Sequence, residues 1–267
     1  MLEGSAADYG VAGSGTEAPL AWPSGKRAAV SLTFDDARLS QVDVGLGLLQ
    51  RHGLRATFYV SPDRLDARLD GWKEAVRQGH EIGHHSLTHP CTGNFEFARG
   101  NALEDYTLER MSKDLAEATV AIERQLGLRP VSFAYPCGQT FVGRGVNTRS
   151  YVPLVARLFE SGRLWLCEDM NDPLRYDPAQ VMAIELDGKT FLEVRPLLER
   201  AREQGRWLVF AGHEIGPEGR QTTRVDTLEA ILAMAADPAN GLWLDTVGVI
   251  NRYVQERRQR PAGTTVP

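Results

Sequence analysis

The chain has 267 residues, 42% of them hydrophobic and 24% charged, the proportions of an ordinary folded protein rather than a disordered one. Its formal net charge is -5 and its lysines and arginines are scattered, which argues against nucleic acid as the main partner. No stretch approaches the run of apolar residues that a membrane span requires.

The length suits one α/β domain. Residues 1–23, rich in Gly, Ala, Ser and Pro, read as a flexible arm; 24–257 form the expected domain and 258–267 a flexible tail. The N-terminus lacks a basic region leading into an apolar stretch. A cytoplasmic location is therefore expected for the sequence as it stands, with export open if Met1–Ser5 replace a native leader. Cys91, Cys137 and Cys167 are an odd and sparse set, so no disulfide framework is expected, and no Cys-x-x-Cys pair offers a structural zinc site.

Expected strands are Ala28–Phe34, Arg55–Val60, His80–His85, Val131–Tyr135, Arg163–Cys167, Val181–Leu186, Trp207–Gly212 and Leu242–Val247. Most are short, β-branched or aromatic, and bounded by Gly, Pro or Asp, as buried parallel strands tend to be. Helical spacing appears between them: Val42, Leu46 and Leu49 before Gly53, and a long run from about Ala102 to Leu126. Thr190–Glu193 and Asp226–Glu229 read as capping boxes. Alternation of strand and helix predicts a parallel sheet, open or closed into a barrel, with its chemistry at the C-terminal strand ends.

Four segments carry that chemistry. Ala28–Phe34 delivers two carboxylates, Asp35 and Asp36, to the end of an apolar strand, where desolvation is costly unless something compensates. Capping accounts for one aspartate but not for two. Four of the six histidines then fall between positions 80 and 89. His80 and His84 lie in an apparent strand, whose alternation does not favour a shared grip on an ion. His85 and His89 straddle the strand end and are the preferred pair, joined by one of the two aspartates. Two histidines and a carboxylate suit zinc bearing a water, or non-haem iron. Zinc brings the pKa of water from about 15.7 to about 7, and an unligated carboxylate nearby suits a general base. The third segment, Ser132–Gly138, ends in a Pro-x-Gly turn whose backbone N–H groups suit an oxyanion. The fourth, Trp207–Glu214, brings His213 to a strand end, a candidate general acid for a leaving nitrogen.

The set Thr33-Phe34-Asp35-Asp36, His85-Ser86-Leu87-Thr88-His89, Phe133-Ala134-Tyr135-Pro136-Cys137-Gly138 and Leu208-x-x-x-x-His213 resembles the polysaccharide deacetylase family, the NodB-homology carbohydrate esterases. The resemblance spans roughly residues 26–255. It implies a distorted (β/α) barrel of the NodB-homology type, as a single domain. It also implies metal-dependent removal of N-acetyl (sometimes O-acetyl) groups from carbohydrate, by attack of a metal-bound water on the carbonyl. On matching positions, Asp35 becomes the catalytic base and Asp36, His85 and His89 the metal ligands. His213 becomes the general acid, and the Cys137 backbone N–H part of the oxyanion site. A divalent ion is implied, zinc foremost. The expected partner is an acetylated carbohydrate or small amide.

Two departures stand out. Ala134 occupies the place of an arginine that orients the base, with Arg144 the nearest substitute. The aspartate supporting the acid histidine is sought in Leu164–Asp172, at Asp169 or Asp172. A small non-sugar amide as substrate and a non-catalytic glycan-binding module remain the alternatives. An iron oxygenase gives Asp35 no role, and a glycosidase needs two free carboxyls across a sugar.

Overall fold

Alternating side chains explain how the chain builds its first strand. In Ala28–Asp35 (β1), Val30, Leu32 and Phe34 enter the main apolar core, while Ser31, Thr33 and Asp35 point to the opposite face. The computed structural model describes residues 20–259. β1 is central to a sheet that also contains Thr57–Val60 (β2), Glu81–His84 (β3), Ser132–Ala134 (β4) and Ser161–Arg163 (β5). Ile184–Glu185 (β6), Trp207–Gly212 (β7) and Leu242–Leu244 (β8) complete it.

The strand order is β5-β4-β3-β2-β1-β7-β6, and all of these pairings are parallel. Ala28–Val30 pairs with β8, whereas Thr33–Asp35 pairs with β2, so two strands divide one edge of β1. The sheet curls until its edges meet, because Arg163 bridges to Val181 on the way into β6. The result is the distorted (β/α) barrel, a single domain. Parallel pairing sends every C-terminal strand end to one rim.

Helices cover the sheet: Leu46–Arg51 (α1), Leu69–Arg77 (α2), Leu108–Leu126 (α3), Val152–Leu158 (α4), Phe191–Gln204 (α5), Val225–Ala236 (α6) and Val247–Gln259 (α7). Thr107 caps α3 by accepting from the Arg110 N–H, and Gly127 ends it in a left-handed conformation (φ 71°). The capping box at Thr190 and Glu193 forms as expected. The one expected at Asp226 does not: α6 begins a residue earlier, and Asp226 instead pairs with Arg224 and accepts from the Thr227 N–H.

Several boundaries differ from expectation for reasons of pairing. The strand expected at Arg163–Cys167 ends at Arg163, since Leu164 and Cys167 donate to Val181 and Ala183 across an irregular segment. Residues 20–23, assigned to the arm, include the buried Trp22, whose indole donates to the Gly205 carbonyl at 3.1 Å and stacks on Tyr253. Residues 1–19 of the expected arm and 260–267 of the expected tail lie outside the described residues.

The cysteines correct a further expectation. Cys91 and Cys137 form a disulfide, with Cα atoms 5.9 Å apart at a sequence separation of 46, while Cys167 is free. Adjacent parallel strands explain the pairing: β3 and β4 are neighbours, so the loops leaving them emerge side by side.

Phe58, fully buried, stacks on Phe34 and meets the edge of Trp72, joining β1, β2 and α2. Phe58→Ala removes that junction and is expected to cost about 3–5 kcal/mol of stability, read from the denaturant midpoint. A loss below about 1 kcal/mol would mean that the three elements are held together elsewhere.

Candidate functional site

Asp35 is the last residue of β1, and Asp36 and Ala37 leave it with φ of 73° and 48°. Two successive left-handed residues without glycine store strain of about 1–3 kcal/mol each, a feature that clusters at functional sites. Both aspartates line a pocket of about 640 Å³ at the C-terminal rim, together with His85, His89, Cys137 and His213. The structure thus brings together all six residues singled out in the sequence.

Ligand atoms of Asp36, His85 and His89 lie within 4.8 Å of one another. His85 Nδ1 sits 2.9 Å from the Ala134 carbonyl, to which only a protonated nitrogen can donate. Nε2 is thereby left with its lone pair facing Asp36, as a metal ligand requires. Asp36 Oδ2 accepts from Arg38 at 2.9 Å, whereas its buried Oδ1 has no hydrogen-bond partner. Burial opposes ionisation of Asp36, but His85, His89, Arg64 and Arg38 together outweigh it and hold the carboxyl well below its usual range. Burial lowers the pKa of His85, and burial with the neighbouring His85 lowers that of His89 to about 4. Both imidazoles are therefore neutral donors near pH 7, beside an anionic oxygen that lacks a partner. That donor set fits a divalent cation.

His80 and His84 do different work. His80 Nδ1 accepts from the Ala56 N–H, and His84 is held between the Ser86 N–H and the Leu115 carbonyl. Both are buried, with pKa values lowered to about 4 and about 3 by burial. His89 also lies near Cys91 and Cys137, but a disulfide offers no thiolate to a metal.

Asp35 is held by a residue that the sequence reading did not single out. The fully buried Arg163 forms an ion pair with its carboxylate, and Arg163 is the register partner of Ala134. The guanidinium missing at Ala134 is thus supplied by the next strand. Arg144, the substitute suggested by sequence, instead pairs with Asp105 on an exposed surface, at 2.8 Å. The buried Gln41 donates to the carbonyls of both Asp35 (2.6 Å) and His213 (2.9 Å), tying two strand ends together.

His213 likewise has an unforeseen partner. Its Nδ1 lies 2.7 Å from Asp187 Oδ2, and its N–H donates to Asp187 Oδ1, which also accepts from the Thr223 hydroxyl. Asp169 and Asp172 do not serve: they pair with Arg200 and Arg206. A Cβ on Gly212 would come within 2.8 Å of Asp187 Oδ1 and 2.2 Å of the Thr223 hydroxyl, so only glycine admits this arrangement. The Trp165 ring packs edge-on at 4.9 Å from that of His213. Burial opposes protonation of His213, but the Asp187 hydrogen bond and the charges of Asp35, Asp187 and Asp36 prevail and raise its pKa. The sequence did hold a signal for Asp187, which follows Leu186 at the end of an expected strand, whereas Arg163 opens its expected strand and only the structure places it at the end of β5.

Cys137, at the turn after β4, has φ of 54° and faces the pocket, with Gly138 packed on Trp165. Among the described residues no helix is long and apolar enough to cross a membrane.

Residues 23–151 match the family model described as polysaccharide deacetylase. A putative polysaccharide deacetylase from Mycobacterium smegmatis superposes with a TM-score of 0.68 at 19% identity, covering 94% of this chain and 98% of that one. A family 4 acetyl xylan esterase from Clostridium thermocellum, solved in complex with a cobalt ion, superposes with a TM-score of 0.55 at 18% identity, covering 84% and 91%. At these identities the likeness is one of fold. The peptidoglycan-N-acetylglucosamine deacetylase PgdA of Listeria monocytogenes is 28% identical over 110 residues, 41% of this chain and 21% of that protein. The chain spans about a quarter or less of the length of the curated relatives compared with it.

A metal-binding test follows from the donor set. After dialysis against zinc, the protein is expected to retain about one ion per chain by atomic absorption, and His89→Ala and Asp36→Ala to lose it. Asp35→Asn should keep the ion; its loss there would show that Asp35 is a ligand.

Proposed function

We propose that this member of the polysaccharide deacetylase family hydrolyses N-acetyl (or O-acetyl) groups on a carbohydrate, with a divalent metal held by Asp36, His85 and His89. The observation that carries the reading is the pairing of Asp35 with Arg163 and of His213 with Asp187, on the wall of the pocket that holds the three ligands. A binding module needs neither a base nor an acid. A site with both, each oriented by its own buried partner, is suited to acyl transfer to water.

Zinc is the favoured ion, and when bound it polarises an acyl carbonyl and lowers the pKa of water. Asp35 takes the proton of the attacking water. As the tetrahedral species collapses, the C–N bond breaks and His213, donating its Nε2 proton, converts the leaving nitrogen into an amine. Acetate and the free amino sugar are the products. Asp187 keeps Nδ1 protonated and aims Nε2 at the pocket. Arg163 positions Asp35, and the Cys137 N–H assists the carbonyl oxygen as negative charge develops there. Disulfides persist in oxidising compartments, so the Cys91–Cys137 bond supports an exported location over the cytoplasmic one.

Purified protein is expected to release acetate from N-acetylated oligosaccharides, and a chelator to stop it. Asp35→Asn should lower kcat by roughly 10²–10⁴. Full activity of that variant on the true substrate would overturn the mechanism. The raised pKa of His213 keeps the acid protonated to higher pH, so activity falls as pH rises through that value. Asp187→Asn removes the support and should move the alkaline limb to lower pH, whereas Asp169→Asn should leave the limb in place. For Arg163, the register partnership offers a rescue: Arg163→Ala should lose most of its kcat, and adding Ala134→Arg should restore a measurable part. If the double variant is no better than the single one, Arg163 does more than position Asp35.

A further inference from the structure

The segment from Pro90 to Asn101, directly after His89, is a loop that ends in a 3-10 helix over Glu96–Asn101, and it is tied down along its length. Cys91 is joined to Cys137, and the Thr92 N–H donates to the Gln139 side chain at 2.7 Å. The Thr92 hydroxyl (2.5 Å) and the Gly93 N–H (3.0 Å) both donate to the Glu104 carboxylate. Asn101 donates to the Thr88 carbonyl at 3.1 Å and accepts from the Tyr106 hydroxyl at 2.7 Å.

On this pinned frame stand Phe95 and Phe97, 44% and 70% exposed. Every other phenylalanine among the described residues is buried or half-buried. The two rings lie nearly parallel, 14° apart, with centroids separated by 5.4 Å. Phe97 is 6.5 Å, centroid to centroid, from the imidazole of His89, and both phenylalanines line the pocket that holds the metal ligands.

Burying a phenylalanine is favourable, a gain that Phe97 largely and Phe95 partly forgoes in the free protein. Single exposed apolar residues need no explanation, but a stacked pair on a tied loop at the mouth of a polar pocket does. A pyranose ring matches it. One face of such a ring presents C–H bonds, apolar and slightly positive, which complement the negative face of an aromatic ring. Its equatorial hydroxyls project sideways and need hydrogen-bonding groups, and Asn101 and Arg64 line the same pocket. A small acyclic amide has no such face, and the pocket, at about 640 Å³, lies well within the size range that encloses a larger ligand.

We propose that Phe97, backed by Phe95, is a stacking platform for a pyranose ring of an N-acetylated glycan chain, and that it selects a glycan over a small amide. The inference rests on the deacetylase reading for the orientation of the chain toward Asp35 and His213. Its test separates the two. N-acetylglucosamine oligomers from monomer to hexamer are titrated calorimetrically into the zinc-loaded protein, and acetate release is measured on the same series.

The wild type is expected to prefer the hexamer over the monomer. Phe97→Ala should weaken hexamer binding roughly five- to twentyfold and raise KM more than it lowers kcat. Phe97→Trp should restore the preference. Binding that depends on Phe97 without acetate release would sustain the platform and overturn the hydrolytic reading. Acetate release with a hexamer preference indifferent to both substitutions would sustain the hydrolytic reading and overturn the platform, as would a wild type with no length preference.

Discussion

Parallel strand pairing around β1 is the constraint from which the site follows. Backbone hydrogen bonds hold β1 against β2, β7 and β8, and so fix where each strand stops relative to the others. Because all these strands run the same way, their final residues and the loops that follow share one rim. Asp35, Arg163 and Gly212 are the last residues of their strands, and His85 and His213 come one residue after theirs. Groups far apart in sequence, such as Asp35 and Arg163 at a sequence separation of 128, become neighbours. Preorganisation here is a property of strand register before it is a property of any one residue.

The same register explains why Asp35 is supported although Ala134 carries no guanidinium. Ala134 and Arg163 are partners across β4 and β5, so a guanidinium moved by one strand arrives at the same carboxylate from an adjacent position. A buried ion pair is weak support for stability, since each desolvated ion costs several kcal/mol and the attraction only offsets that. Its more natural value is geometric. Arg163 confines Asp35 to one orientation, as Asp187 confines His213 and the Ala134 carbonyl confines His85. Around Asp36 the electrostatics are arranged differently: the carboxyl keeps its charge because His85, His89, Arg64 and Arg38 surround it and outweigh its burial, while burial holds the pKa values of the two imidazoles down.

What was legible in the sequence was whatever is encoded locally. β7 appears at Trp207–Gly212 with the boundaries expected, because an apolar run bounded by Gly on both sides leaves no choice of register. Asp35 and Asp36, and likewise His85 and His89, are close in sequence at a strand end, so spacing alone nominated them. Arg163 and Asp187 escaped because one ends and the other follows a short strand whose limits are set by its neighbours. β5 and β6 contain three and two residues, too few for a period to emerge. The irregular pairing of Leu164 and Cys167 with Val181 and Ala183 moved the strand end to Arg163. The disulfide escaped for a related reason: its cysteines are 46 positions apart, and only the adjacency of β3 and β4 brings them together.

By itself, then, the sequence determined the class of fold and nominated Asp35, Asp36, His85, His89 and His213 as candidate site residues, since periodicity and short-range spacing are one-dimensional signals. Tertiary structure alone decided which groups support them. It chose Arg163 over Arg144 for Asp35, Asp187 over Asp169 or Asp172 for His213, and a disulfide where sparse cysteines suggested none. It also placed Phe95 and Phe97 on a tied loop facing the pocket, instead of in the core where their composition alone would put them. The physical reason is common to all of these. A supporting contact depends on which strands and loops are neighbours across the barrel, and closure of the barrel is what makes them so.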